Sequence, residues 1–529
     1  MPSPRHLDAR RLARAAFSSF VLLACATALA SACSSEDGAE PEVASTPAPE
    51  AGSEPQVDAG VVVDASDVER VAVAHDRQLR GAWISTVHNG TWPSKTGMTE
   101  ADAKAELVAQ LDALASANMN AVFFHVRPEG DAFFVSTLEP WSRYLTGTQG
   151  KDPGWDPLAF AIVEAHRRGI ELHAWINPYR GGAKTADYAN NHPTKTLAQH
   201  AIVYGNQIWM DPGAPLVRAH ILEVITDLLK RYDVDGLHFD DYFYPYPVAN
   251  TVFDDDASYA VYTSGGGKLA RDDWRRFNVD TMVKEASEAV AKTRPDARFG
   301  ISPFGIYRPG TPAGITGLDA YAAIYCDPVK WMKERWVDYL APQLYWPTTK
   351  KAQAFDKLVA WWGTLPTNGQ SIFVGQDATR VGEPDWAVSE YDAQMKLIDA
   401  QRPNGVLGSI FFSAKPLVED ESGLRTALAK DHWSRVATTP RLMVAPPLAN
   451  GELDPTIARV ERKITVTPPP GKHVRAIAVY EASASKLVRL VPADDAPKNV
   501  VIDLEAGRWA IAVIDRFGRE SHGTVVDVP

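Results

Sequence analysis

From residue 79 onward, the spacing of apolar positions changes in a regular way along the chain. Short apolar, β-branched or aromatic runs are each followed by a segment with helical spacing, such as Leu107, Leu111 and Leu114. Eight runs occur, at residues 80–87, 121–126, 171–176, 236–239, 298–303, 337–345, 372–375 and 406–412. This alternation predicts an α/β fold, a (β/α)8 TIM barrel over residues 76–436. A doubly wound open sheet is the alternative, disfavoured because no glycine-rich phosphate motif follows any run.

The pattern changes again near Trp433, where helical spacing ends and prolines become frequent. Four strand-type runs follow, at residues 462–467, 476–480, 500–504 and 509–515, and turn signals separate them. A segment of this kind predicts an immunoglobulin- or fibronectin-like β-sandwich over residues 437–529. It has no carboxylate cluster, so we interpret it as an accessory domain, either structural or glycan-binding.

The amino terminus has the order of a signal peptide. Four arginines precede an apolar stretch over residues 15–30, which is shorter than a typical membrane-spanning helix. The sequence Leu-Ala-Ser-Ala-Cys at residues 29–33 resembles a bacterial lipoprotein signal, which implies a lipidated Cys33 and a signal peptide over residues 1–33. Cys25 is a rival lipidation site, and a plain secretory signal is the alternative.

Residues 34–75 are rich in alanine, proline, serine and acidic residues, and they carry no lasting apolar periodicity. Such a segment cannot bury enough surface to fold, so it is predicted to be a disordered acidic linker. Ser34, directly after the lipidated cysteine, favours the outer membrane by the same resemblance. We therefore expect a protein of the cell envelope, with the membrane as a partner through its lipid anchor.

Composition narrows the function further. The net charge of the 529-residue chain is −12, and residues 34–70 alone contain ten acidic residues and one arginine. The remainder is only mildly acidic, so no nucleic-acid partner is expected. Two of the three cysteines lie in the leader, which excludes a disulfide framework from the mature chain. The 15 Trp and 17 Tyr suit the faces of sugar rings.

The rest of the chain is organised around residues 235–245, Asp-Gly-Leu-His-Phe-Asp-Asp-Tyr-Phe-Tyr-Pro. An apolar strand ends there in two adjacent carboxylates, Asp240 and Asp241. Barrel strands carry their chemistry at their carboxyl ends, so this motif predicts the base of an active site. Two neighbouring like charges are kept together for a task or by stabilising partners. The alternative is a solvated acidic loop tip.

Residues that follow the other predicted strands should face the same barrel mouth. They combine carboxylates, amides, arginines and aromatic rings, as a polyhydroxylated ring requires. The candidates for substrate binding are Trp92, His125, Arg127, Glu129, Asp131, Asn177, Tyr179, Tyr242, Tyr307, Gln343, Tyr345 and Trp346. Further mouth positions are His88, Asn89, Arg180, Tyr244, Ser302, Phe304, Arg308, Gln376, Asp377, Ser413 and Lys415.

Several of these residues have a structural alternative. His125 could be a satisfied half-buried histidine, and Arg127 could form a structural ion pair with Asp131. Tyr242 and Tyr244 could pack beneath a loop, as His173 and His238 are expected to do inside their strands. Cys326 has no histidine or asparagine signature around it and is expected to be an inert buried thiol. His125, His173 and Asp240 could converge on a metal, but no HxH or HExxH motif occurs, so we expect neither a metal nor a cofactor.

Six ordered motifs give the chain a family resemblance. They are Arg-Gly-Ala-Trp-Ile at 80–84, Val-Arg-Pro-Glu-Gly-Asp-Ala at 126–132, Ala-Trp-Ile-Asn-Pro-Tyr-Arg at 174–180, the 235–245 motif, Gly-Ile-Ser-Pro-Phe-Gly at 300–305 and Ala-Pro-Gln-Leu-Tyr-Trp at 341–346. Together they resemble the glycosyl-hydrolase-like family 10 lipoproteins over about residues 76–435. The resemblance implies a lipid-anchored TIM barrel followed by a β-sandwich, and a glycosidase acting on denuded peptidoglycan, the glycan strands without stem peptides.

Glycoside hydrolysis usually needs a carboxylic acid and a second carboxylate. No glutamate follows a late strand here, and peptidoglycan sugars carry an acetamido group that can act as the nucleophile. We expect Asp240 to orient the acetamido group and Asp241 to act as general acid/base, with the reverse order open. Pairing Asp240 with Glu129 or Asp131 is a rival scheme. A non-catalytic glycan-binding lipoprotein and a glycosidase for an exogenous polysaccharide are the alternative functions.

Overall fold

The computed structural model describes residues 61–62, 69–366, 369–482, 486–493 and 499–529. Its centre is a closed barrel of eight parallel strands, which confirms the predicted TIM barrel and excludes an open sheet. The strands are β1 (Leu79–Ile84), β2 (Ala121–Arg127), β3 (Glu171–Ile176), β4 (Gly236–Phe239), β5 (Arg298–Ile301), β6 (Tyr339–Leu340), β7 (Ser371–Asp377) and β8 (Val406–Phe412).

A helix follows each barrel strand. They are α1 (Glu100–Ser116), α2 (Pro157–His166), α3 (Pro215–Arg231), α4 (Arg271–Thr293), α5 (Pro328–Lys333), α6 (Phe355–Trp362), α7 (Val388–Ala400) and α8 (Leu424–Asp431). The side chain of Thr99 caps α1 by accepting a hydrogen bond from the backbone N–H of Asp102. Leu107, Leu111 and Leu114 are buried against the barrel, as their spacing predicts.

Shorter elements lie in the loops. Single-turn helices span Arg143–Thr146, Pro193–Thr196, Ala320–Ala323 and Ala414–Val418, and a longer one spans Asp256–Ser264. Short 3-10 turns occur at Val87–Asn89, Ala198–His200, Lys351–Gln353, Ala378–Arg380, Arg402–Asn404 and Glu421–Gly423. After β3, the strands Arg180–Ala183, Gln207–Met210 and Ala201–Tyr204 form a small antiparallel sheet in that order.

The barrel interior is filled by aromatic and histidine side chains. The hydroxyl of Tyr339 lies 3.0 Å from Nδ1 of His173 and 3.0 Å from Nδ1 of His238. Trp83 donates from Nε1 to Nε2 of His238 at 3.1 Å. A Cβ at Gly300 would lie 2.1 Å from the Tyr339 ring, so only glycine fits beside it. Both histidines are fully buried, which confirms the expectation that they belong to the core.

In the part of the sequence after the barrel that the structure describes, there are seven strands: β9 (Thr456–Val460), β10 (Lys463–Thr467), β11 (Val474–Glu481), β12 (Lys486–Pro492), β13 (Val500–Asp503), β14 (Gly507–Asp515) and β15 (Gly523–Val528). Strands β9, β10 and β13 form one antiparallel sheet, and β12, β11, β14 and β15 form the other. Apolar residues from both sheets, such as Ile464, Ile477 and Val513, meet in a common core. This arrangement is a fibronectin-like β-sandwich, as predicted.

Part of the predicted linker is ordered against this sandwich, which corrects the expectation of disorder up to residue 75. Val61–Val62 pairs antiparallel with β9, and Arg70–Val71 pairs antiparallel with β15. His75 lies 2.6 Å through Nδ1 from the Tyr480 hydroxyl. These segments extend the edges of the two sheets, so their backbone groups gain ladder hydrogen bonds. The predicted leader, Cys33 included, lies outside the described residues.

The sandwich contacts the amino-terminal end of the barrel through buried charges. Arg475 of β11 pairs with both Glu171 and Asp235, which begin or precede β3 and β4. Arg516, just after β14, lies 3.2 Å from Asp235, and Arg298 of β5 lies 3.3 Å from Glu171. We call these five residues the floor clamp. It lies at the end of the barrel opposite the carboxyl ends of the strands.

No helix within the described ranges combines the length and apolar character needed to span a bilayer. The same ranges contain no group of three or more histidine, cysteine, aspartate or glutamate side chains arranged to hold a metal ion.

Candidate active site

Asp240 and Asp241 follow β4, a strand whose four residues are all buried. Successive residues of an extended strand point to opposite sides, so Asp240 shares the inward direction of His238. Asp240 is 9% exposed and Asp241 is 1% exposed. Asp240 is therefore the more exposed of the two carboxyl groups.

One oxygen of Asp240 is held by neighbouring strands. Gln343, after β6, donates from Nε2 to Oδ1 of Asp240 at 3.2 Å. The backbone N–H of Asp241 donates to the same oxygen at 3.0 Å. Gln343 also donates to the backbone oxygen of Ser302 at 3.1 Å, after β5. The ends of β4, β5 and β6 are thus joined around one carboxyl group, as predicted for Gln343 and Ser302 from their place after the strands.

Asp241 is held differently. The hydroxyl of Tyr246 donates to its Oδ2, while its buried Oδ1 has no hydrogen-bond partner among the residues described. Sequence reasoning missed Tyr246, although it lies only five residues further along the same aromatic stretch. Because Tyr246 lies one residue beyond the 235–245 motif, its sequence position alone could have indicated a place near Asp241.

The two carboxyl groups retain protons more strongly than free aspartates. Burial raises the pKa of Asp240 well above its usual value, and the Asp241 carboxylate raises it further. Burial also raises the pKa of Asp241, against the opposing effect of the Tyr246 hydrogen bond. The pair therefore titrates as a unit and keeps a proton to higher pH than separate aspartates would.

His125, at the end of β2, stacks on Trp175 of β3, with ring centroids 3.8 Å apart and planes 10° apart. Burial lowers the pKa of His125 well below its usual value, and the nearby charge of Arg180 lowers it further. The imidazole is therefore neutral at physiological pH. Arg180 lies over the ring of Tyr242 at 5.4 Å, and burial followed by the Asp240 charge raises the pKa of Tyr242.

Arg127 does not pair with Asp131, which corrects that expectation. It forms a two-point contact with Glu139, at 2.7 Å from Nε and 2.5 Å from Nη2. Its Nη1 donates to the backbone oxygens of Asn177 and Pro178 at 2.7 and 2.9 Å. With its donors occupied and its side chain buried, Arg127 fixes the loops after β2 and β3 and is not a substrate-binding residue.

Two other predicted substrate-binding residues belong to the core. Trp92 is fully buried and donates from Nε1 to the backbone oxygen of Ala103 in α1 at 2.9 Å. Tyr179 is also fully buried, and it lies close enough to Arg218 of α3 for that charge to act on its hydroxyl. Both rings belong to the core cluster that the barrel strands form with the surrounding helices.

Glu129 and Asp131 form a separate acidic cluster in the loop after β2. Glu129 accepts hydrogen bonds from Arg143 and, at 3.1 Å, from the hydroxyl of Tyr144. Asp131 accepts from Gln149 at 3.3 Å, and burial together with Glu129 raises the pKa of Asp131 to about 6. No hydrogen bond between described residues joins this cluster to Asp240.

The predicted aromatic residues divide between the mouth and its outer loops. The ring of Tyr345 stacks near that of Phe412, with ring centroids 6.1 Å apart. Burial raises the pKa of Tyr345, and the charge of Asp240 raises it further. Trp346 meets Phe304 edge-on at 5.7 Å. By contrast, Tyr307 donates to Asp327 at 3.2 Å and stacks on Trp361 at 5.8 Å.

The remaining candidates are placed as follows. Asn177 is fully buried and donates from Nδ2 to the backbone oxygen of Pro128 at 3.4 Å. Asp377 accepts hydrogen bonds from Thr379 and is partly exposed. Tyr244 is buried, as its structural alternative anticipated. Cys326 is a buried free thiol, and burial raises its pKa well above the usual range, so it is inert as expected.

Comparison with known proteins identifies the kind of molecule to which this site belongs. Residues 78–393 match the family described as Glycosyl hydrolase-like 10. The chain is 40% identical over 383 residues to glycosyl hydrolase YngK of Bacillus subtilis (strain 168), covering 69% of this chain and 74% of that protein. It is 33% identical over 388 residues to glycosyl hydrolase DigH of Escherichia coli (strain K12), covering 67% of this chain and 87% of that protein.

Among solved structures, the glycoside hydrolase domain of PgaB (BpsB) from Bordetella bronchiseptica aligns with 67% of this chain and 98% of its own length. The TM-score is 0.45 and the sequence identity is 13%.

Proposed function

This chain belongs to the glycosyl hydrolase-like 10 family and is a glycosidase; on that premise we propose that it cleaves N-acetylhexosamine linkages of peptidoglycan-type glycan strands, with Asp240 and Asp241 as its catalytic pair. The observation that carries the proposal is the placement of Asp240. It is the inward-facing carboxyl group at the end of β4, held through one oxygen by Gln343, with a raised pKa. A proton-retaining carboxyl group at the carboxyl end of a barrel strand is what leaving-group protonation requires.

The contacts favour the reverse of the expected order of roles. Oδ1 of Asp240 already accepts two hydrogen bonds, so Oδ2 is the oxygen that can carry a proton toward the glycosidic oxygen. Asp241 is fixed by Tyr246 through Oδ2, and its unpartnered Oδ1 can accept the N–H of an acetamido group. Asp240 is therefore assigned as general acid and Asp241 as the group that orients the acetamide.

In the proposed reaction, the Asp240 proton passes to the leaving glycosidic oxygen as the bond from that oxygen to the anomeric carbon breaks. The acetamido oxygen of the same sugar forms a bond to the anomeric carbon and gives a cyclic oxazolinium intermediate, with Asp241 accepting its N–H. Water then attacks the anomeric carbon, opens the ring and returns a proton to Asp240. The glycan is cut and no external reagent besides water is consumed.

The proposed location is the outer membrane, through a lipid on Cys33. The support for this location is the amino-terminal order of four arginines, an apolar stretch and Cys33 followed by Ser34. Incorporation of labelled palmitate into the wild type and into Cys33→Ala and Cys25→Ala variants tests it, and loss of label only in Cys25→Ala would assign the anchor to the other cysteine.

The catalytic proposal is tested by the variants Asp240→Asn and Asp241→Asn on denuded peptidoglycan, with products identified by mass spectrometry. Each should lower turnover by at least ~10²-fold because each removes a group that acts in the transition state. Asp377→Asn is the matched control at the mouth, since Thr379 already satisfies that carboxylate. A thiazoline analogue of the intermediate should bind tightly to the wild type.

Full activity in both Asp240→Asn and Asp241→Asn would refute the assignment and favour a scheme using Glu129 or Asp131. Incubation with chitin and common polysaccharides in the same assay distinguishes the alternative, a glycosidase for an exogenous polysaccharide.

A further inference from the structure

Buried polar atoms without partners concentrate at the ends of β2 and β3. Among the residues that the structure describes, no hydrogen-bond partner lies within reach of Nδ1 and Nε2 of His125, Nε1 of Trp175, Oδ1 of Asn177 or Nε of Arg180. We call these four residues the mouth patch. Buried polar groups in folded proteins are nearly always paired, so a cluster of unpaired ones needs an explanation.

The mouth patch and Asp240 share one side of the barrel. His125 lies opposite Trp175 in the strand register, and Trp175 lies opposite His238. Trp175 and Asn177 alternate with Ile176 and so point inward, as Asp240 does two residues after His238. The charge of Arg180 acts on both His125 and Asp240. The unpaired atoms therefore border the carboxyl group that the proposed function places at the chemistry.

Nearby histidines show that the barrel satisfies such groups where they serve the fold. His173 and His238 both contact the Tyr339 hydroxyl at 3.0 Å, and Trp83 donates to His238. His125 is equally buried and lies in the same interior, yet both of its nitrogens are unpaired. Its stacking on Trp175 fixes the ring plane without using either nitrogen. This is the arrangement of a group held in place for a ligand.

The chemical character of the patch selects its ligand. Trp175 Nε1 and Arg180 Nε are donors and Asn177 Oδ1 is an acceptor, while a neutral imidazole supplies one of each. An anionic sugar substituent only accepts hydrogen bonds, and an ammonium group only donates them, so either would leave part of the patch unpaired. Hydroxyl and secondary amide groups do both.

We propose that the mouth patch is the subsite that binds the uncharged hydroxyl and acetamido groups of the sugar next to the cleaved bond, with His125 as its central contact. This inference rests on the proposed function and adds a preference for N-acetylated over de-N-acetylated or uronic sugars. His125 binds substrate as a neutral donor and acceptor and takes no part in proton transfer.

The decisive variant is His125→Phe, which keeps a flat ring for stacking and removes both nitrogens. Because no protein hydrogen bond is lost, its unfolding temperature should equal or exceed that of the wild type. Its kcat/KM should fall about 10- to 100-fold, with an unchanged pH profile. His125→Gln, which retains a donor and an acceptor, should recover part of the loss. The matched control His238→Phe loses its contacts to Tyr339 and Trp83, so its unfolding temperature should fall.

A lower unfolding temperature for His125→Phe would overturn the inference, since it would show that His125 holds the fold. Substrate preference gives the second readout. The wild type should bind N-acetylated oligosaccharides at least ~10-fold more tightly than the same chains after de-N-acetylation, because an ammonium group leaves the donors unpaired. His125→Phe should lose part of this preference. Equal binding of both by the wild type would also overturn the inference.

If the wild type cleaves no glycan tested, the proposed function fails. Calorimetric binding of N-acetylated oligosaccharide to the wild type and to His125→Phe then decides this inference separately: weaker binding by the variant supports the subsite, and equal binding refutes it.

Discussion

Replacing Arg475 with methionine removes the cation that links the sandwich to two buried carboxylates at the barrel floor. Glu171 and Asp235 are 3% and 2% exposed, and Arg475 pairs with both. Burial alone would raise the pKa of each carboxyl group, but nearby cations hold both pKa values well below their usual range. Arg475 acts on both groups. Arg298 also acts on Glu171, and His166 and Arg516 also act on Asp235. Methionine keeps most of the side-chain volume, so the change isolates the charge.

The magnitude follows from what remains after the substitution. Removing one partner of a buried ion pair costs about 3–5 kcal/mol. Glu171 keeps Arg298 at 3.3 Å and Asp235 keeps Arg516 at 3.2 Å, so the lower end of that range applies. We expect a loss of about 3 kcal/mol at neutral pH, which corresponds to roughly 3 °C in Tm for a chain of this size.

The pH dependence has a definite sign. In the unfolded chain these carboxyl groups have pKa values of about 4. Their lower pKa values in the folded wild type stabilise the fold above that pH, and this stabilisation is lost as the pH falls through the folded-state pKa values. In Arg475→Met the buried carboxylates lose a cationic partner. The loss of unfolding free energy relative to the wild type should therefore be largest at pH 7.5 and smaller at pH 4.5. Thermal and denaturant unfolding at both pH values measures this.

Arg462→Met is the control within the same sandwich. Arg462 is 49% exposed and pairs with Glu505 at 2.8 Å, so its replacement should cost less than about 1 kcal/mol. If Arg475→Met is within that margin of the wild type at pH 7.5, or loses equal stability at both pH values, the floor clamp does not join the sandwich to the barrel. The expected result would make the sandwich a structural part of the barrel floor, the question that its sequence left open.

Two further predictions concern the site and the barrel interior. Tyr246→Phe removes the hydrogen bond that lowers the pKa of Asp241, so the acid limb of the pH profile of kcat/KM should move to higher pH. An unchanged acid limb would show that Tyr246 does not influence the catalytic pair. Gly300→Ala should lower Tm by several degrees, because the added Cβ would lie 2.1 Å from the Tyr339 ring. The control Gly90→Ala should change Tm little, because the nearest atom to its added Cβ is 3.4 Å away. Equal Tm values for the two variants would contradict the packing of the barrel interior.

Most barrel strands could be predicted within a few residues because they are buried on both faces and appear as continuous apolar runs. Strand β6 is the exception, since the predicted run at 337–345 contains only Tyr339–Leu340 as regular strand. Pro342 has no N–H for the ladder, and beyond it only isolated bridges join Gln343 to Phe304 and to Gly375. In the sandwich, β9, β12 and β15 were missed. Strands β9 and β12 are largely exposed and lack strong alternation, whereas β15 is mostly buried.

The aspartate pair was found because a buried strand ending in two acids is conspicuous in the sequence. Contacts between residues distant in the sequence were not predicted, because ion pairing depends on the paths of loops, which no local sequence pattern specifies. Arg127 lies four residues from Asp131 but pairs with Glu139, and Trp92 follows β1 yet turns under α1. Tyr246 and Trp175 acquired their roles only through tertiary contacts, with Asp241 and His125 respectively.

The most direct test of Asp240 as the proton donor is a leaving-group series. Aryl glycosides of an N-acetylhexosamine disaccharide, with phenols of decreasing pKa, are hydrolysed by the wild type, Asp240→Asn and Asp241→Asn. We predict that Asp240→Asn loses at least ~10²-fold with the poorest leaving group and almost nothing with the best, which needs no proton. Asp241→Asn should lose activity equally across the series. A uniform loss in Asp240→Asn would contradict the assignment.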